Sequence, residues 1–258
     1  MLLSQLLIIL AYFLNVTNSL STSSHYARWA HVSALVGDKL YFMCGVVDTK
    51  NTIGSRDLFY LDLSKNFKDS LPIIEISSNL PVKSMWSAAN AYGSTIFLCG
   101  GWLSYVSNGT LDNIDYVFTF STQDNTWQRP STYGTPPASH PLAAVSSVID
   151  KTGKIYLFGG DNAAIAYSKM YIFDTINLTW LDSSDAGMAF NKTLYASVLL
   201  NNGEILYIGG IENYQIAKFA DINIVELKRQ LETQIQLETQ IQQPEAQLQQ
   251  PVPQLLPP

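Results

Sequence analysis

Charge, histidine and cysteine are all scarce in this chain. Of 258 residues only 15 are Lys or Arg against 21 Asp or Glu, and the net charge is −6. That leaves no basic stripe for a phosphate backbone, so nucleic acid is not an expected partner. The three histidines, His25, His31 and His140, stand far apart and form no pair at metal-ligand spacing, so neither a metal nor another cofactor is expected. No glycine-rich turn leads into a helix bearing Lys-Ser/Thr, which removes the phosphate-cradling nucleotide enzymes. Carboxylates are scattered; Asp62, Asp174 and Glu226 recur near strand ends, where such groups accept turn hydrogen bonds. Beyond the N-terminus no apolar run is long enough to span a bilayer.

What the chain does contain is a repeat. Four apolar segments end in one turn signature: Leu40-Tyr-Phe-Met-Cys-Gly45, Thr95-Ile-Phe-Leu-Cys-Gly-Gly101, Lys154-Ile-Tyr-Leu-Phe-Gly-Gly160 and Glu204-Ile-Leu-Tyr-Ile-Gly-Gly210. Aligned on Gly45, Gly100, Gly159 and Gly209, they are offset by 55, 59 and 50 residues, lengths that suit four short strands per unit. Ahead of each lies an apolar strand closed by a tight polar break, Gly37-Asp38 or Asn202-Gly203, both hairpin turns because their residues tolerate positive φ. A third strand follows after a variable loop, as in Tyr116-Val-Phe-Thr-Phe120 and Met170-Tyr-Ile-Phe-Asp174. In the two middle units Trp127 and Trp180 stand at one fixed distance beyond it and open a fourth strand.

A glycine doublet closing the second strand, an aromatic third strand and a Trp after the next turn together resemble the kelch repeat family. The resemblance covers residues 25–227 and implies an all-β, kelch-type β-propeller of about four four-stranded blades, at 31–77, 86–130, 142–183 and 193–227. Val46 stands for the second glycine of unit one, and unit four has no Trp or recognisable fourth strand. The glycines Gly45, Gly100, Gly101, Gly159, Gly160, Gly209 and Gly210 are expected where a Cβ would strike a neighbouring strand. Trp127 and Trp180 are expected to fill the wedge between blades. Kelch-type propellers include the galactose oxidase family, whose radical copper site uses tyrosines, histidines and a thioether-linked cysteine on a seven-bladed frame. A copper enzyme of that kind is the alternative from another class, but this chain has no matching histidine pair.

Residues 1–21 read as a secretory signal peptide, an apolar run followed by small polar residues and cleaved near Ser19 or Ser21. No stable membrane insertion is expected after its removal. Sequons at Asn108, Asn177 and Asn191 agree with a secreted, extracellular glycoprotein. An intracellular kelch adaptor with an uncleaved N-terminus is the other alternative. Cys44 and Cys99 occupy the same place in successive units of this alignment. Packed sheets lie roughly 10 Å apart, beyond the roughly 7 Å Cα reach of a disulfide, so two buried thiols are expected.

Loops 46–56, 102–113, 161–168 and 211–219 share one face with the interblade connections, and carry Trp102, Tyr105, Tyr167 and Tyr214 as candidate binding residues for a protein or glycan ligand. Kelch rings usually hold six or seven blades, so about four imply an open arc, a ring completed by a second chain, or a shortened relative. Open blade faces imply self-association. After residue 227 the composition changes to a Gln-rich segment, 228–243, with Leu231, Ile235, Leu237 and Ile241 spaced as in a marginal helix, then to a Pro/Gln-rich, disordered tail, 244–258. The sequence reads as a non-enzymatic binding or scaffold module.

Overall fold

The computed structural model describes residues 27–47, 54–67, 71–77, 80–105, 116–137, 142–161, 167–181, 191–212, 215–216 and 222–226. Everything regular among them is β. Blade 1 holds Val32–Val36, Lys39–Met43, Leu58–Asp62 and Ile73–Ile76, paired in that order. Blade 2 repeats the order with Ala88–Tyr92, Thr95–Cys99, Val117–Ser121 and Thr126–Gln128. Blade 3 uses Ser146–Ile149, Lys154–Phe158, Met170–Asp174 and Thr179–Leu181, with Tyr133–Gly134 added outside as a short parallel strand. Blade 4 has three described strands, Ala196–Leu199, Glu204–Ile208 and Ile222–Glu226. Tight hairpins begin each blade: Val36 pairs Lys39 and Tyr92 pairs Thr95, with Gly37 and Gly93 in the turns at positive φ.

Strand alternation sends each blade's side chains to two neighbours. Tyr41, Met43 and Leu58 of blade 1 form one core with Ile96, Leu98, Phe118 and Phe120 of blade 2. Phe97, Cys99 and Val117 meet Ile155, Leu157, Tyr171 and Phe173 in the next junction, and Tyr156, Phe158 and Met170 meet Ile205 and Tyr207 in the third. Each junction is thus a small aromatic-aliphatic core, and most of the fold's apolar burial lies between sheets. The large rings explain the wedge geometry, since an aromatic fills more of a space that widens outward than an aliphatic can. Trp127 and Trp180 sit there, buried, with Trp180 against Phe173 at 4.8 Å and Tyr116 at 5.9 Å between ring centroids.

The strand register revises the alignment in unit one. Met43, Cys99, Phe158 and Ile208 are equivalent strand ends, each opposite the first residue of its blade's first strand. The first turn position is therefore Cys44, Gly100, Gly159 and Gly209, and the second is Gly45, Gly101, Gly160 and Gly210. All eight have positive φ, Cys44 at 61° among them. So it is the first glycine that unit one replaces, by Cys44, while Gly45 keeps the second place; the two cysteines are not equivalent. They lie in different junction cores, both buried as free thiols. Burial pushes each thiol pKa up to about 12, which keeps them protonated and unreactive at neutral pH.

The two turn positions do different work. At the first, the backbone N–H closes the blade itself: Cys44 donates to Asp57 O, Gly100 to Tyr116 O and Gly159 to Lys169 O, at 2.9 to 3.0 Å. At the second it reaches the next blade: Gly45 donates to Ser84 O, Gly101 to Leu142 O and Gly160 to Lys192 O, again at 2.9 to 3.0 Å. A Cβ on Gly101 would fall 2.9 Å from Met85 O and against the Ser87 side chain, so the strand leading into the blade leaves no room for one.

Candidate functional site

On the loop face, the arm leaving each glycine turn pairs with the arm entering the same blade. Trp29 bridges Val46, Met85 pairs Trp102, Ala143 bridges Asp161 and Thr193 pairs Ile211, all antiparallel. One residue further in lie Ala30, Trp86, Ala144 and Leu194, each left-handed with φ from 54° to 60°. Non-glycine residues there cost about 1 kcal/mol or more each. The compensation is a ladder: Trp86 N–H donates to Ala30 O at 2.9 Å, Ala144 N–H to Trp86 O at 2.9 Å and Leu194 N–H to Ala144 O at 3.0 Å. This hydrogen-bonded ladder joins consecutive blades and fixes the side chains it carries.

The side chains on the ladder and its paired arms are largely apolar, and several are exposed. Trp29 and Trp102 are exposed, as is Leu194. Trp29 meets Trp86 edge to face at 5.5 Å and 68°. Trp102 stands opposite Met85, the neighbour of Trp86 in the chain. Three indoles thus stand along a rim of adjoining arms of blades 1 and 2, two of them, Trp29 and Trp86, in ring contact and Trp102 on the arm paired with Met85, and such large amphipathic rings are suited to anchoring a partner.

Of the residues expected from sequence, Trp102 belongs to this rim. Tyr105 lies at the end of the same strand, opposite Val82. Tyr167 is half-buried against the core between blades 2 and 3, its N–H donating to Gly160 O at 2.9 Å, so it props the turn of blade 3. Tyr214 and Asn108 lie outside the described residues, as do the signal segment, His25, His140 and residues 228–258. Asn177 is exposed in the turn between the third and fourth strands of blade 3, with its Nδ2 donating to Asp174 Oδ2 at 3.0 Å. Asn191 is half-buried, and Thr193 of its sequon is buried. Trp29 and Trp86 were not singled out from the sequence. Their signal was positional: each lies on the short arm ahead of a first strand, a segment whose repeat emerges only once the strands are in register.

Charge near the rim is committed to structure. Arg28, buried on the arm beside Trp29, pairs with Asp57 at 3.1 Å, donates to Cys44 O at 2.8 Å and lies over the Phe59 ring. His31 leads the first strand of blade 1 and tilts on Phe42. Its pKa is lowered to about 4, by burial first and then by the Arg28 cation, against a smaller opposing effect of a backbone hydrogen bond to Arg28. Among the described residues its Nδ1 has no hydrogen-bond partner. An unfolded histidine titrates near pH 6.5, so the unfolded chain binds the extra proton first. The stability held above about pH 6.5 is lost as pH falls toward 4. Urea unfolding across this window is expected to show a loss on the order of 2 kcal/mol, flattened in His31→Ser, which carries the side chain found at the equivalent Ser87. Among the described residues no three His, Cys, Asp or Glu side chains gather as a metal site.

Turns that link each sheet to the next, and a face that gathers the arms of every sheet, are what a β-propeller interaction scaffold requires. The profile of the KLHDC2/KLHL20/DRC7 Kelch-repeats domain matches residues 86–251, and the chain belongs to this kelch-repeat family. Kelch repeats of this kind are typically non-catalytic protein-interaction modules, and the fold is a partial kelch propeller, for which the family implies a protein-binding scaffold role. Rho GTPase-activating protein gacHH of Dictyostelium discoideum is 24% identical over 171 residues, 63% of this chain. The chain spans about a tenth of the length of that relative, 10%.

Proposed function

We propose that the chain is a secreted kelch-repeat module that binds a protein or glycan ligand through the indole rim of its loop face. The observation that carries this reading is the exposure of Trp29 and Trp102 on arms whose backbones are fixed to the blades. Rigid aromatic anchors lose little conformational entropy on binding, so a few of them dominate an interface. Secretion draws its support from the apolar N-terminal run and from the exposed sequon at Asn177. The low basic content turns the choice of ligand away from polyanions.

The test is expression of the full chain through a eukaryotic secretory pathway, followed by display against a glycan array and a panel of extracellular proteins. Recovery from the medium with a mass shift on glycan removal is expected, as is a ligand whose affinity falls at least tenfold in Trp29→Ala and Trp102→Ala. Both side chains are exposed, so the unfolding temperature should move little. Retention inside the cell without glycan would replace this reading by the intracellular adaptor; binding indifferent to both tryptophans would move the site elsewhere.

A further inference from the structure

The three junctions between consecutive blades obey one pattern, and the two outermost faces are complementary halves of it. Each junction takes a ladder N–H from the later blade to a ladder C=O on the earlier one, and a second-glycine N–H from the earlier blade to a carbonyl ahead of the later one. Its apolar core joins onward-facing residues of one blade to backward-facing residues of the next. Among the described residues, Ala30 N–H finds no acceptor, while Leu194 C=O and Gly210 N–H find no partner. What blade 1 needs is thus present on blade 4, and the reverse. Gly209 tells the same story: a Cβ on Gly100 or Gly159 would strike the next blade's backbone at 2.5 or 2.3 Å, whereas one on Gly209 would meet nothing within 4 Å among the described residues.

The side chains follow. Onward-facing positions of blade 4, by register with Tyr156, Phe158 and Ile172, are Leu206, Ile208 and Ile224; the first two are only partly buried and Ile224 is exposed. Backward-facing positions of blade 1, by register with Leu98 and Phe120, include Phe42 and Leu61, both half-buried. The first strands of blades 1 and 2, 2 and 3, and 3 and 4 pack side by side, and no comparable packing joins blade 4 to blade 1 among the described residues.

We propose that two copies of this chain close head to tail, blade 4 of each receiving blade 1 of the other. The open faces continue the interface that already joins the blades within the chain, so a second copy supplies both missing halves at once. The contact is heterologous, which makes a closed ring if the rotation per blade divides the circle. The four blades of the described residues, taken twice, give eight, at the upper end of the roughly four to eight found in propellers.

Light scattering on the full chain across a dilution series tests this, alongside Leu61→Lys and Ile224→Glu. Neither position is fully buried, and circular dichroism checks that both variants keep their β structure. The wild type is expected at twice the mass of either variant, each variant being monomeric. An equimolar mixture of the two is expected to regain a dimer, because one of its two junctions carries neither substitution and the other sets Lys opposite Glu. A monomeric wild type overturns the proposal. So does a dimer that only one of the two substitutions breaks, which would mean a self-complementary face, or a ladder of growing oligomers, which would mean that the contact does not close.

Discussion

Gly159→Ala is expected to lower stability by about 3 kcal/mol or more, read as a fall in the urea midpoint at constant slope. Two costs combine. The residue has φ of 67°, where a Cβ costs about 1 kcal/mol or more. That Cβ would also lie 2.3 Å from Lys192 O, a backbone atom of the strand entering blade 4, which accepts the Gly160 N–H. The carbonyl cannot move without breaking the hydrogen bond between blades. Gly93→Ala is the control: φ is 59° but among the described residues nothing lies within 4 Å of the new atom, so only the backbone term remains, about 1 kcal/mol. If both cost the same, the close approach between blades is not what demands glycine.

Trp180→Ala is expected to cost about 3–5 kcal/mol, the range for removing a buried aromatic whose surroundings cannot collapse. Phe173, Tyr116 and the strands that hold them belong to two blades, so the void would open at a junction and weaken the contact between sheets. Trp180→Phe separates ring packing from the indole N–H. Among the described residues Trp180 Nε1 is buried without a hydrogen-bond partner, so the smaller ring gives up some area and sheds an unsatisfied donor. A cost of less than about 1.5 kcal/mol is expected for it, by the same urea titration. A loss equal to that of alanine would mean that the N–H has a partner and that the ring does not act by packing alone.

Much of the fold could be read from the chain because its parts repeat. The glycine turns, the hairpins and the spacing from Phe173 to Trp180 are local signals, and four imperfect copies of a local signal reinforce one another. The register of the first unit was harder. Cys44-Gly45 and Cys99-Gly100 look alike as dipeptides, and only strand pairing shows that the first follows its strand while Cys99 ends it. A cysteine at φ 61° defeats the rule that such places are glycine. The rim was legible in part. Trp102 follows a glycine doublet and could be placed, while Trp29 and Trp86 precede strands on arms with no sequence mark, and their left-handed neighbours and ladder bonds arise only from the packing of blades. Tyr167 shows the reverse: a loop aromatic that the backbone turns inward, onto a core two blades share.

Each loop on the rim face springs from a clamp. At blade 2 the outgoing arm, Trp102–Tyr105, is zipped to Val82–Met85, and the returning chain at Tyr116 is fastened to Gly100. Both feet of the loop are anchored independently of what lies between them, and doubling the length of a flexible loop costs only about 0.6 kcal/mol in closure entropy. The frame can therefore accept insertions, deletions or wholesale grafts between those feet while its blades stay as they are. In this respect the kelch blade is a mount for interchangeable segments, and specificity can diverge between relatives faster than architecture.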